Sequence, residues 1–412
     1  MPEDATARQP SPRSLLDLVR PAKQENDWPA IAALAEHLPV PLEPAWLGVA
    51  DDVAFAFGQL RHWKVAMALT ESAYELEPTW RRASPLAYLY YDASLALVGP
   101  QRPKPDMDRE TLRQGFRTWI AKALEHDPDS IKDLYRLGVF EAQVESTRDK
   151  PALKSFLRAI ELYRNLPEAE RARRGDLRKA CTKALYAGAR SALRLGQADL
   201  ARKLCFACIR EDEGVDHVDP VHKMHQAARV CLATGQFDHA ERAARIALDA
   251  KGPPRRDYLF CLLADICLRR EDPRSAASWI ESHVPARRRD SATWRKLGDA
   301  RLAAGDGQGA RLAWESALQR DRCGRHLTLV RLGKSWLEAG ELGKAEDAFR
   351  KAADFRKSRY MREDEEALRG LEKVLEARGK QDDLGRVRAR LAKTRPADHR
   401  FETTPDTEEQ VA

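Results

Sequence analysis

Apolar residues in this chain recur at three- and four-residue spacing, in long runs broken by glycine, proline or short polar turns. That period is the signature of amphipathic helices, and no run shows the strict alternation of a strand. Two runs near the C-terminus are copies of one another. Trp294-x2-Leu297-Gly298 is followed by Gly305, Ala310-x3-Trp314 and Ala317, while Leu329-x2-Leu332-Gly333-x2-Trp336 is followed by Gly340, Ala345-x3-Phe349 and Ala352. The offset is 35 residues, and large and small residues occupy the same slots. A period of this length predicts a stack of helical hairpins. Each hairpin pairs a helix A with a helix B, with small residues where the backbones approach and large ones beside them.

The turns extend the pattern. Those at Gly196, Gly235, Glu271, Gly305 and Gly340 lie 39, 36, 34 and 35 residues apart, and a further 39 reaches Gly379. After Gly379, Leu384 and Leu391 give a last charged helix ending at Pro396, as befits a capping unit. The first half follows the same logic less regularly. Ala66-x3-Thr70-x2-Ala73, Phe116-x3-Ile120-x2-Ala123 and Ala152-x3-Phe156-x2-Ala159 read as B helices. A helix from about Pro85 to Val98 precedes a proline-rich insertion at 99–109. Ser14 and Asp27 are expected to cap the first two helices. The resulting division is a flexible segment 1–13, irregular hairpins 14–180, a regular array 181–396 and a disordered tail 397–412.

These runs resemble the tetratricopeptide repeat family over about residues 14–396. The two best units follow its W-x2-L-G-x2-Y…A-x3-F pattern. Arg301 stands in the tyrosine slot, and Arg322 and Lys357 stand where proline usually closes the repeat. The resemblance implies an all-α solenoid, a right-handed superhelix of about ten hairpins with a concave groove lined by the A helices. Partners of such proteins usually dock there as extended peptides or helices.

Composition narrows the function classes. The chain has 412 residues, 43% hydrophobic and 33% charged, which suits an ordered helical protein. No stretch approaches the ~18 uncharged apolar residues of a membrane span, so no membrane partner is expected. No secretory signal is visible, and seven scattered cysteines read as reduced thiols. The expectation is a cytoplasmic protein, and the Arg- and Ala-heavy composition suggests a bacterial source. Basic residues exceed acidic ones by 71 to 64. The basic runs are short and lie in expected loops. Arg173 and Arg174 in one, and Arg287, Arg288 and Arg289 in another, are candidates for phosphate contacts.

Catalytic and metal motifs are absent, so the expectation is a non-enzymatic protein with no cofactor and no metal. Cys205-x2-Cys208 falls in the slots that hold Ala244 and Ala247 one unit later, and so reads as core packing. Gly305 to Gly309 reads as a hairpin turn. At least one of Tyr88, Tyr90 and Tyr91 is expected to face the groove. In the repeat register, His222, His225, Arg229, Tyr258, Asp265, Arg269, Arg295, Asp299, Lys334 and Glu338 face the concave side. That strip is polar, aromatic and mostly basic, which suits an acidic or carboxylate-bearing peptide. The family's clamp for acidic tails uses Lys and Asn; Arg295 and Lys334 lie near such slots, but the asparagines are missing. The functional expectation is therefore a scaffold or adaptor holding a partner protein segment, with regulation of an effector as an extension of that role. The second reading is an accessory subunit contacting nucleic acid through the loop arginines.

Overall fold

The computed structural model describes residues 11–99, 103–145, 148–251 and 256–393. Among these the regular elements are helical, with no strand. The chain divides into two compact units at Val218 and Asp219.

Unit 1 contains α1 (Pro12–Glu25), α2 (Trp28–Ala33), α3 (Leu47–Gln59), α4 (Trp63–Leu76), α5 (Trp80–Val98), α6 (Arg109–His126), α7 (Ile131–Val139), α8 (Asp149–Asn165), α9 (Glu168–Arg173), α10 (Gly175–Arg194) and α11 (Ala198–Glu211). Unit 2 contains α12 (Pro220–Ala233), α13 (Phe237–Asp249), α14 (Asp257–Arg269), α15 (Pro273–His283), α16 (Ser291–Ala303), α17 (Gly307–Arg320), α18 (Arg325–Glu338), α19 (Leu342–Tyr360), α20 (Glu365–Ala377) and α21 (Gln381–Lys393). Successive helices pack as hairpins, α3 on α4, α5 on α6, α7 on α8, α10 on α11, and so on to α20 on α21. The division expected near residue 180 falls inside α10.

The six turns read from the sequence share one backbone device. Gly196, Gly235, Gly305, Gly340 and Gly379 all have φ between 69° and 87°, and Glu271 has φ 61°. A left-handed residue ends helix A so that the chain can reverse into helix B. The paired faces then bury alanines where the backbones are closest: Ala240, Ala244, Ala247, Ala310, Ala317, Ala345 and Ala352 are all 0% exposed. Phe349, Phe156 and Trp314 fill the complementary space. Cys205 and Cys208 are buried in the small-residue slots, and Cys208 Sγ sits 3.5 Å from the Thr182 carbonyl. Burial pushes the neighbouring Cys181 thiol up to about 12, which leaves it protonated and inert.

The N-terminal expectations hold in one place and move in two. Asp27 does cap α2, accepting from the Ala30 amide at 3.1 Å. Helix α1 begins at Pro12, however, and its cap is Ser11, whose Oγ accepts from the Ser14 amide at 3.2 Å. Proline at the first helical position costs no hydrogen bond, which moves the start forward of Ser14. Residues 1–10 of the expected flexible segment and 397–412 of the expected tail lie outside the described residues. Helix α5 starts at Trp80, five residues before the expected position. Its extra turn is held by Asp133 of α7, which accepts from Trp80 Nε1 at 3.0 Å and Ser84 Oγ at 2.8 Å. Pro85 in the second turn forfeits a single backbone bond. Part of the proline-rich insertion, residues 100–102, is likewise outside the described residues; after it, Lys104 Nζ caps α5 on the Ala96 carbonyl at 2.8 Å.

Candidate functional site

Most charged residues of the strip expected to bind a ligand are bonded to neighbouring side chains within unit 2. In unit 2 each A helix lies beside the next, and their facing side chains bond across the gap. His225 of α12 packs edge-on against Tyr258 of α14, ring centroids 4.8 Å apart. Asp265 of α14 pairs with Lys296 of α16 at 2.7 Å. Asp299 of α16 pairs with Arg331 of α18 at 2.8 Å and also accepts from Trp314 Nε1 at 3.1 Å. Lys334 of α18 pairs with Glu366 of α20. Arg295 is bound to Asp321, whose carboxylate also caps the loop through the Cys323 and Gly324 amides.

Of the strip expected to be polar, aromatic and mostly basic, Asp265, Arg295, Asp299 and Lys334 are thus ion-paired within unit 2. Side chains a little under one repeat apart become neighbours, and opposite charges at that distance neutralise each other. The ladder pairs are half-exposed, so each is worth only ~0–1 kcal/mol. Arg269 and Glu338 are exposed, and His222 and Arg229 are partly so. Burial, with the charges of Arg229 and His222, pushes the His225 imidazole down to about 3, so this ring is neutral. The partners Lys296, Arg331 and Glu366 were missed. Their signal was the charge spacing of 31 or 32 residues between Asp265 and Lys296, Asp299 and Arg331, and Lys334 and Glu366.

The loop arginines are engaged as well. Arg289 is buried, donates to the Val284 carbonyl at 2.8 Å and lies over the Trp294 ring at 4.8 Å. It caps α15 from inside and is withdrawn from any phosphate, which corrects its assignment. Arg288 pairs with Asp257 at 3.2 Å, and Arg174 forks onto Asp176 at 3.1 and 3.2 Å. Arg173 Nε turns back onto the Ala169 carbonyl at 3.2 Å. Arg287 is exposed.

Unit 1 presents a different A-helix face. On α10, Lys179, Lys183, Tyr186 and Arg190 follow one another at i, i+4, i+7 and i+11, the stripe left over when the rest of the helix is buried. Lys183 is half-buried, and burial together with the charge of Lys179 holds its ammonium below the usual lysine range. Neither lysine has a carboxylate within ion-pair distance among the described residues. Arg190 is near enough to Tyr135 of α7 for its charge to act on that phenol. On α7 itself, Lys132 pairs with Asp176 at 2.6 Å, and Arg136 lies over the Tyr88 ring at 4.9 Å. Tyr88 is thus the partly exposed member of its cluster; Tyr90 and Tyr91 are buried. The face combines basic groups and tyrosines, the chemistry expected of unit 2. Its signal in the sequence was the helical spacing of Lys179, Lys183 and Arg190.

The described helices pack in successive pairs, with small residues of one helix set against large residues of its neighbour. No helix among the described residues is long and apolar enough to cross a membrane. No family model matches the sequence, and no curated protein matches it. Among solved structures, the chain is similar to a tetratricopeptide repeat protein from Parabacteroides merdae, at 14% identity over 67% of this chain and 93% of that one, TM-score 0.44. It is also similar to the C-terminal part of a TPR repeat-containing protein from Cytophaga hutchinsonii, at 13% identity over 64% and 96%, TM-score 0.44. PilF of Pseudomonas aeruginosa is similar at 14% identity over 64% and 96%, TM-score 0.41.

Proposed function

We propose that this protein is an interaction scaffold that holds an acidic segment of a partner protein against its A helices, with the α7–α10 face of unit 1 as the principal contact. The observation that carries this reading is Lys183, half-buried beside Lys179, with no carboxylate among the described residues to neutralise either. Two like charges held together on a rigid helix favour an anionic ligand. Arg136, held in place by Asp133 and Ser84, and Arg190 add positive charge beside the lysines, and Tyr88 and Tyr186 add amphipathic contact area. His222, Arg229, Arg269 and Glu338 of unit 2 form a secondary contact surface, framed by the paired ladder. The engagement of Arg174, Arg288 and Arg289 weighs against nucleic acid as the ligand. A reducing, cytoplasmic setting fits seven cysteines that form no disulfide.

The test is affinity capture from the native host with the full chain, identification of the bound protein, and titration of its acidic segment as a peptide. Lys179→Glu with Lys183→Glu is expected to weaken that peptide at least tenfold, with unchanged helicity and melting temperature. Arg269→Glu is expected to weaken it less. Unchanged affinity in the double reversal overturns the assignment of the α10 stripe. Tight binding of a single-stranded oligonucleotide that collapses with added salt would replace it with the nucleic-acid reading.

A further inference from the structure

We infer that unit 1 carries a second docking site on its B-helix side, in the valley between α8 and α11, and that it takes an acidic amphipathic helix of a partner protein. Both helices pack on α10, and between them they leave a cleft of about 640 Å³. Its floor is apolar, made by Leu153 and Leu157 of α8 and Leu200 of α11. Leu153 is 5% exposed, whereas Leu157, one turn later on the same face, is 37% exposed. The first belongs to the hairpin core, and the second is left for an occupant.

The wall of the cleft carries three basic residues and one acidic one, Glu161. Lys150, Lys154 and Arg158 follow at i, i+4 and i+8 along α8, flanking the leucines. Arg158 is neutralised, by Asp129 at 2.9 Å and Glu161 at 3.0 Å. Lys150 and Lys154 are exposed and have no carboxylate within ion-pair distance among the described residues. An apolar floor beside two unneutralised ammonium groups is complementary to a helix with one apolar face and acidic residues along its edge. A nucleic acid would satisfy the lysines but leave the leucine floor wet. The site is separate from the α10 stripe, so the two can fail independently.

The probe is a fluorescein-labelled amphipathic peptide of four helical turns, with leucine along one face and glutamate beside it, titrated into the full chain by anisotropy. A counterpart with lysine for glutamate is the control. The glutamate peptide is expected to bind at least tenfold tighter than the control. Lys150→Glu with Lys154→Glu, and separately Leu157→Asp, are each expected to weaken it at least tenfold. Both variants change exposed residues, and circular dichroism checks that they remain folded. Lys179→Glu with Lys183→Glu is expected to leave this affinity unchanged. Equal binding of the two peptides overturns the inference, as does a loss confined to the α10 variant. A peptide of residues 397–412 that outcompetes the glutamate probe would make the chain's own C-terminus the occupant and overturn the partner assignment. Co-sedimentation with phosphatidylserine vesicles that depends on Lys150 and Lys154, without peptide binding, would do the same in favour of a membrane.

Discussion

Gly333 of α18 and Phe349 of α19 meet so closely that a Cβ on the glycine would stand 2.7 Å from Cε1 of the ring. Phe349 is 0% exposed and is also approached closely by Gly370 of α20. The same device recurs where Gly138 faces Phe156 and where Gly298 faces Trp314. A glycine on helix A lets an aromatic of helix B lie against bare backbone. Gly333→Ala is therefore expected to destabilise the protein by ~1–3 kcal/mol through overpacking, despite better helix propensity. Gly188 of α10 lies one position before the slot, which Ala189 holds there, and a Cβ on it would meet Leu204 Cδ1 and Phe156 Cβ at 3.4 Å. Gly188→Ala is expected to be neutral or stabilising. Urea denaturation of the two variants checks the contrast, and equal losses would show that the aromatic does not set the requirement.

Glu271 is the turn residue that departs from glycine among the six regular turns, at φ 61°. A side chain in the left-handed region costs ~1 kcal/mol or more. Its side chain is exposed, so little packing is lost on removal. Glu271→Gly should stabilise the protein by roughly 1 kcal/mol, read as a rise in the melting midpoint. A fall in that midpoint would mean that the carboxylate makes a contact worth more than the backbone strain.

Asp133 is 0% exposed and gathers four donors: Trp80 Nε1, Ser84 Oγ, Ser130 Oγ at 2.7 Å and Arg136 at 2.7 Å. Removing it strands an arginine and three neutral donors between α5 and α7. Asp133→Ala is expected to cost ~3 kcal/mol or more. It should also release the first turn of α5, read as faster hydrogen exchange over residues 80–84. Wild-type stability in this variant would rule out the hub as the anchor of that turn.

His225 gives unit 2 a pH dependence. Its pKa is about 3 in the fold against 6.5 for the free side chain. Between those values the unfolded chain binds a proton that the folded chain does not. Stability is therefore full above about pH 6.5 and falls as the pH drops towards 3, by at most ~1.4 kcal/mol per unit. His225→Gln is expected to flatten this part of the stability curve. Denaturation midpoints at pH 7, 6, 5 and 4 make the comparison, and parallel curves would assign the acid loss to other groups.

The sequence led to the turns because a left-handed residue at Gly235 or Gly305 is a local requirement, visible in residue type and spacing. The same holds for Cys205 and Cys208, whose slots match Ala244 and Ala247. The candidate strip was legible as a face: the register placed Asp265, Asp299 and Lys334 on adjoining A helices, where they lie. What the register did not disclose was their partners, because Lys296, Arg331 and Glu366 sit on other helices. Arg289 misled for the same reason. Its place in an arginine run suggested solvent, while the packing of α15 against α16 drew it over Trp294 and onto the carbonyls of α15.

By itself, then, the sequence determined what depends on near neighbours: helix period, turn conformation, and the pairing of small with large residues inside each hairpin. Only the tertiary structure decided which charges remain available. An ion pair forms when two side chains come within about 4 Å, and that distance depends on how one hairpin sits on the next. In unit 2 it joins Asp299 to Arg331 and neutralises the strip. In unit 1 it leaves Lys179 and Lys183 side by side with no counter-charge among the described residues, and the basic face survives there.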